Sequence, residues 1–133
     1  MTHWVAKRSP DPVAETMTRL ENALGERGFT VMARIDHAAH AERAGQQLRP
    51  TEVMLFGKPA LGTQLMQADQ LIAIDLPSKV LGWQDTDGQN WLGYRDLRAL
   101  IAGRTDVAAP GTAAAAAELA AGIEAATDAA VRR

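Results

Sequence analysis

Two histidines stand three residues apart after the second predicted strand. His37 and His40 would point to one side of a helix at this spacing, and imidazole nitrogens bind transition metals. A metal would need a third ligand, and the nearest in sequence are Asp36, Glu42 and His3. The structural alternative places His37 at a strand end, bonded to the backbone, and His40 in solvent. We favour this alternative and expect no metal site.

A second group is the segment GKPALGT, which begins at Gly57. Glycines before a helix N-terminus, with a lysine and a threonine, can hold an anion through backbone N–H groups and the helix dipole. The spacing does not match a phosphate-binding GxxxxGK[ST] loop, because Lys58 follows the first glycine. A tight strand-to-helix turn stiffened by Pro59 explains the same residues. Both interpretations stay open, and the structural one is favoured.

Groups for catalysis are sparse. No pair of acids has a spacing that suggests acid–base partners, and no GxSxG nucleophile motif occurs. An enzyme would have to use His37 as a general base, with Asp36 or Asp75 nearby and His37 in a cleft. We therefore expect a protein without catalysis and without a cofactor.

The composition narrows the class of protein. The 133 residues suit one domain, and 14 basic against 16 acidic residues give a net charge of −2, which argues against nucleic-acid and polybasic membrane contacts. The sequence has no cysteine, which excludes disulfides and thiolate metal sites. No apolar run has the length of a signal peptide or a membrane span. We expect a soluble cytoplasmic domain.

Apolar periodicity predicts strands and helices in the first half of the chain. After a short strand over residues 2–7, four apolar residues at i, i+4, i+7 and i+11 predict an amphipathic helix: Val13, Met17, Leu20 and Leu24. Asp11 is its expected N-cap, and Gly28 its expected end. A period of two predicts a strand with one buried face: Phe29, Val31, Ala33 and Ile35. The apolar run 52–56 predicts an interior strand covered on both faces.

The second half contains a predicted hairpin. Strands over 78–84 and 89–94 flank the turn 85–88, where Asp87-Gly88 suits positive φ. Trp83, Trp91 and Tyr94 lie on its arms. Short helices are expected over 37–45, 61–68 and 96–102, while 71–76 fits a helix or an extended segment.

The last segment is rich in alanine. Residues 112–133 predict a helix that Thr112 caps, with a thin apolar seam: Leu119, Ile123, Ala126 and Ala130. This helix would pack along its own domain or against a partner chain. We expect a domain over residues 1–104, followed by a linker and C-terminal helix over 105–133.

An ordered set of short motifs resembles the domain-of-unknown-function family numbered 302. The motifs lie between Val13 and Leu100, and they are Gly28-Phe29, Ile35-Asp36-His37, Leu48-Arg49-Pro50, Phe56-Gly57, Pro59, Leu61-Gly62-Thr63, Leu65-Met66-Gln67 and Asp75-Leu76-Pro77. The chain departs from the family pattern at Lys58 and Gln64, and the alanine-rich tail is not part of that pattern. The resemblance implies an α+β fold similar to the TATA-box-binding protein. In such a fold, helices lie on one side of a curved antiparallel sheet of four or five strands. It also implies a homodimer and no established activity.

The leading hypothesis is a module that binds a small ligand, such as an anion, or a partner. The candidate ligand-binding residues are His37, Arg49, Gly57, Lys58, Pro59, Gly62, Thr63, Met66 and Tyr94. Arg49 and Lys58 could meet an anionic group, and His37 and Tyr94 could line the same pocket. One alternative is the enzyme with His37 as general base. The other is a purely structural dimer, with an interface made by the Leu65-Met66 helix and the alanine seam.

Overall fold

A computed structural model of the chain describes residues 3–102 and 111–132. The fold is α+β, as predicted, with one open sheet of five antiparallel strands in the order β1-β5-β4-β3-β2. The strands are β1 (Trp4–Ser9), β2 (Thr30–Asp36), β3 (Thr51–Gly57), β4 (Ser78–Gln84) and β5 (Asn90–Arg95). The helices are α1 (Val13–Glu26), α2 (His37–Arg43), α3 (Pro59–Ala68), a 3-10 segment (Gln70–Asp75), α4 (Leu97–Ala102) and α5 (Thr112–Ala130). In the part of the chain described, no helix is both long and apolar enough to cross a membrane.

Helix α1 buries the predicted apolar stripe. Its buried residues include all four stripe positions: Val13, Met17, Leu20 and Leu24. The predicted cap is wrong, because Pro12 occupies the N-cap position and makes no side-chain capping bond. Asp11 instead forms an ion pair with Arg19, at 3.0 Å between carboxylate and guanidinium. The aspartate therefore ties the start of the helix to its second turn.

Among the described residues, the helices cover one face of the sheet and leave the other open. Strand β3 lies between β2 and β4, and its residues alternate between buried and half-buried. Met54 and Phe56 point to the helices and are fully buried, whereas Val53 and Leu55 point to the opposite, open face and are half-buried. The prediction of a strand covered on both faces is therefore wrong. The central strand of a sheet that is open on one face has the same apolar sequence pattern as a strand covered on both faces.

Strand β2 changes face partway along its length. Its register against β3 shifts between Val31 and Ala33, so that Val31 pairs with Phe56 while Ala33 pairs with Leu55. A one-residue bulge moves every later side chain to the other face. The prediction of a single buried face is therefore wrong beyond Val31, because Ala33 and Ile35 face the open side of the sheet.

The bulge turns Arg34 toward the helices. Its Nε donates to Oε1 of Glu52 at 2.7 Å, and its Nη2 donates to the backbone carbonyl of Ala14 at 3.0 Å. The hydrogen bond with Glu52, which is 7% exposed, is the main cause that raises the pKa of Arg34. This charged pair has partners on both sides, so it links strands β2 and β3 to helix α1 without an uncompensated buried charge.

The β4–β5 hairpin confirms the predicted turn. Gly88 has φ +80 in the turn, and Asp85 Oδ1 accepts hydrogen bonds from the backbone N–H groups of Asp87 and Gln89, both at 2.9 Å. Asp85 Oδ2 accepts from Nε1 of Trp91 at 2.9 Å. The bond from Trp91, followed by the backbone bonds, lowers the pKa of Asp85. The hairpin thus fixes one indole ring through the turn itself.

All three tryptophans of the chain lie on the open face. The rings of Trp83 and Trp91 are stacked, with centroids 6.2 Å apart and planes 19° apart. Trp4 lies on strand β1, which pairs with β5, and its ring centroid is 5.8 Å from that of Trp83. Between them, Gly93 leaves the space over β5 that two of these rings occupy. The tryptophans form a layer on the sheet rather than part of the helix-side core.

Helix α5 packs along its own domain. It contacts α1, α3 and α4, and the predicted apolar seam is buried: Leu119, Ile123, Ala126 and Ala130. Alanines allow close approach between helices, which makes this side of the helix a substantial part of the core. Gly111, not Thr112, takes the N-cap position. The predicted linker lies outside the described residues, except for Gly111.

Candidate functional site

Six of the nine candidate residues line one pocket of about 330 Å³. We call it the turn pocket, and these six are Gly57, Lys58, Pro59, Gly62, Thr63 and Met66. The rest of its lining comes from other elements: Met32, Ala73, Leu76, Pro77, Ser78 and Leu119. The segment from Gly57 to Met66 therefore brings these six residues to a single concave surface.

The local sequence explains how this pocket forms. Strand β3 ends at Gly57, and Lys58 keeps an extended backbone as the N-cap of α3. Pro59 follows at the first helical position, where its missing N–H costs nothing, so α3 begins two residues before the predicted start. Leu65 is fully buried and anchors the helix to the core, while Met66 lines the pocket.

The backbone at the start of α3 fits the favoured interpretation, a tight strand-to-helix turn. Pro59 has no N–H group, and the N–H groups of Leu61 and Gly62 both donate to the Lys58 carbonyl, at 3.0 and 2.9 Å. Donors used inside the turn cannot also bind an anion. The Lys58 ammonium lies 4.6 Å from the centre of the Phe29 ring, a cation–π contact. Lys58 is the cation among the described residues that line this pocket.

Arg49 lies away from the turn pocket. It precedes β3, whereas Gly57 ends it, and a strand of seven residues spans about 20 Å. Arg49 Nε donates to the backbone carbonyl of Gln84 at 3.1 Å, and the residue lines a separate open groove beside α2. The expectation that Arg49 and Lys58 meet one ligand is therefore wrong.

His37 is the exposed first residue of α2. Asp36 is the N-cap of this helix, as predicted, and its Oδ1 accepts a hydrogen bond from Ala39 N at 2.9 Å. Asp75 lies beside the other end of β3, so it cannot assist His37. An exposed imidazole without a cleft does not suit a general base, and the structure does not support that hypothesis.

The two histidines do not gather further ligands. The ring centroids of His37 and His40 lie 6.4 Å apart, edge to face. Within residues 3–102 and 111–132, no group of three or more histidine, cysteine, aspartate or glutamate side chains could hold a metal ion.

Tyr94 belongs to a different cavity. It is 8% exposed on the helix side of β5, and it lines a cavity of about 300 Å³ between β4 and β5. The expectation that His37 and Tyr94 share a pocket is wrong. Sequence reasoning missed this cavity, because it depends on where the pairing of two strands ends.

The α+β fold agrees with the family to which the chain is similar in sequence and structure. It belongs to the family described as domain of unknown function DUF302, which matches residues 5–130. The match runs through helix α5, so the expectation that the alanine-rich tail lies outside the family pattern is wrong. An uncharacterised conserved DUF302 protein from Bacillus stearothermophilus has the same fold. Its crystal structure gives a TM-score of 0.83 at 20% identity, over 99% of this chain and 100% of that one.

Curated relatives match over a shorter region. Proteins named fluoride-specific ion channel FluC 1, from Brucella suis and Brucella abortus, are each 42% identical to this chain over 92 residues. The matched region is 69% of this chain but 36% and 34% of those proteins. The chain thus spans about a third of the length of these relatives.

Proposed function

We propose that this domain binds a small, mainly apolar molecule in the turn pocket, without catalysing a reaction. The observation that carries the proposal is the convergence of six candidate residues on one pocket of about 330 Å³. This volume lies within the range of ligand pockets, which are largely apolar with a few polar groups. Among the described lining residues, the polar side chains are Lys58, Thr63 and Ser78.

Lys58 offers a positively charged partner to a polar end of the proposed ligand. It is the charged residue among the described lining residues, and its ammonium already lies against an aromatic ring. An amphipathic anion would place its acidic group near Lys58 and its hydrocarbon part against Met66 and Leu76. The channel activity in the names of the Brucella relatives is not part of the proposal, because this chain spans about a third of their length.

Octanoate is expected to shift the backbone amide NMR resonances of Gly57, Lys58 and residues 60–66, and Gly62→Leu is expected to weaken its binding at least about 10-fold, or about 1.4 kcal/mol. A side chain at Gly62 would extend toward Leu76, whose Cδ1 lies 3.7 Å from an added Cβ, and so fill the pocket. Titrations followed by ¹H–¹⁵N spectra measure both effects.

Gly25→Leu is the matched control. Gly25 is also a helical glycine, an added Cβ there meets nothing within 4 Å, and it is not among the described residues that line the pocket. The control is expected to bind octanoate like the original chain. Shifts scattered over the surface, or equal binding by Gly62→Leu, would contradict the proposal.

We also propose that the domain forms a homodimer through the 3-10 segment. The favouring observation is the exposure of two large apolar side chains, Leu71 at 68% and Ile74 at 80%. Residues three apart are eclipsed in a 3-10 helix, so these side chains form one patch. We prefer this segment to an interface made by the Leu65-Met66 helix and the alanine seam, because Leu65 and the seam are buried within the chain itself.

Ile74→Asp is expected to weaken dimerisation at least about 100-fold, since a two-fold interface loses two buried isoleucines of about 1.5 kcal/mol or more each. Sedimentation velocity at micromolar concentration measures the change. Leu48→Asp is the control, because Leu48 is 48% exposed but lies on the loop before β3. A monomeric original chain, or equal weakening by both substitutions, would refute the proposed interface.

A further inference from the structure

One methionine of the chain lies outside the register of the sheet. The pairing of β2 with β3 shifts between Val31 and Ala33, so Met32 is the extra residue of the bulge. A bulged residue is released from the alternation that fixes its neighbours to one face or the other. Met32 therefore projects from an edge strand of the sheet, and 54% of it is exposed.

The bulge also places the end of the Met32 side chain at the turn pocket. Met32 is one of the residues that line this pocket, and its Cε lies 3.6 Å from the position that a Cβ on Gly57 would occupy. Because Sδ is bonded to Cε, the sulfur lies beside the pocket wall while the side chain stays open to solvent.

The other described methionines are less accessible. Met17 and Met54 are 0% exposed in the core, and Met66 is half-buried. Oxidation of a thioether requires contact between its sulfur and an oxidant in water, so susceptibility follows exposure. Met32 is therefore expected to be oxidised first among the described methionines.

We infer that Met32 is a modification site through which a peroxide weakens ligand binding in the turn pocket. In this reaction a lone pair of Sδ attacks one oxygen of hydrogen peroxide, an S–O bond forms and the O–O bond breaks. The transferred hydroxyl gives its proton to the departing hydroxide, which leaves as water. The sulfur loses two electrons and the peroxide gains them, so the products are methionine sulfoxide and one water.

The sulfoxide changes the chemistry of the pocket in two ways. Its oxygen is a hydrogen-bond acceptor beside an apolar wall, and an apolar ligand would displace the water that this oxygen binds. The same oxygen would compete with the acidic group of a ligand for the ammonium of Lys58, the cation among the described lining residues. Both effects act against an amphipathic anion. This role of Met32 rests on the proposed function, because it concerns the ligand proposed for the same pocket.

Limited oxidation of the full chain with hydrogen peroxide tests the order of reaction. Trypsin releases residues 28–34 and 9–19 as separate peptides, each with a single methionine, Met32 in the first and Met17 in the second. Mass spectrometry at successive times is expected to show one added oxygen on the first peptide at least about 10-fold faster than on the second. Unfolding the chain in urea before adding peroxide is expected to remove this difference, because both sulfurs are then exposed.

Octanoate titrations followed by ¹H–¹⁵N spectra measure the consequence for binding. The oxidised chain is expected to bind octanoate at least about 5-fold more weakly than the untreated chain. Each variant is compared with itself before and after peroxide. Met32→Leu removes the sulfur and keeps an apolar side chain of similar volume, so peroxide is expected to leave the binding of this variant unchanged.

Met66→Leu is the matched control, since Met66 lines the same pocket. Peroxide is expected to weaken octanoate binding in this variant as it does in the original chain. Treatment of the oxidised original chain with methionine sulfoxide reductases for both sulfoxide epimers is expected to restore binding.

The outcomes separate the role of Met32 from the proposed function. An untreated chain that does not bind octanoate would refute both. Three results would refute the role of Met32 alone: binding that oxidation leaves unchanged, oxidation of Met17 as fast as that of Met32, and loss of binding after peroxide in the Met32→Leu chain.

Discussion

Replacing Gly93 with alanine is expected to lower the free energy of unfolding by about 3 kcal/mol. A Cβ at this position would overlap Cζ2 of Trp4 and lie 2.8 Å from Cζ3 of Trp83. Both rings lie over β5, and their planar indoles cannot yield as a flexible side chain can. Urea denaturation followed by circular dichroism measures the change, with the slope on denaturant concentration expected to stay constant.

Gly57→Ala is the control for this substitution. Gly57 is also a strand glycine, and the Cβ added there would meet Met32 Cε at 3.6 Å, an ordinary contact. Its effect is expected to stay within about 0.5 kcal/mol. Adding Trp4→Ala to the Gly93→Ala chain is expected to recover part of the lost stability, because it removes the overlapping ring. Equal destabilisation by the two glycine substitutions would refute this explanation.

Ala126→Glu is expected to cost at least about 4 kcal/mol and to leave the chain largely unfolded at 37 °C. Ala126 is 0% exposed on the side of α5 that packs against the domain, so a glutamate there would bury a charge without a partner. Ala125→Glu, one position away on the exposed side, is expected to change stability by less than about 0.5 kcal/mol. Thermal denaturation measures the difference, and equal melting temperatures would mean that α5 is not part of the core.

The burial of Ala126 also concerns the division of the chain into a domain and a C-terminal helix. The sequence separates residues 1–104 from an appended helix, because alanine gives helix propensity with little surface to bury. In the fold, Leu119 and Ile123 belong to one hydrophobic cluster with Met17 and Phe56. Small side chains gain their contribution from close approach, which a periodicity argument cannot measure.

Local patterns predicted the elements whose causes are local. The stripe of α1 and the Asp87-Gly88 turn depend on residues close in sequence, and both were confirmed. The open face was missed, because an apolar run such as 52–56 has the same appearance in a strand covered on one side or on both. The bulge at Met32 was missed as well, since a single register shift leaves no mark in alternation.

The candidate site was predicted in part for the same reason. The residues from Gly57 to Met66 are neighbours in sequence, and a turn followed by a helix brings them together. Arg49 precedes the same strand but is separated from them by its length. Tyr94 lies at the cavity of about 300 Å³ between β4 and β5, where the β1–β5 and β3–β4 ladders continue beyond the end of the β4–β5 ladder. Such a mismatch between distant strands is a property of the assembled sheet.

The layer of tryptophans on the open face gives the protein an optical asymmetry. Because Trp4, Trp83 and Trp91 are all the tryptophans of the chain, its intrinsic fluorescence above about 295 nm excitation comes from that side of the sheet alone. Emission will respond to molecules near Trp4, whereas the turn pocket has no indole in its lining. Binding in the cavity that Trp4 lines is therefore expected to change the tryptophan emission of the unlabelled protein, whereas binding in the turn pocket is expected to leave it unchanged.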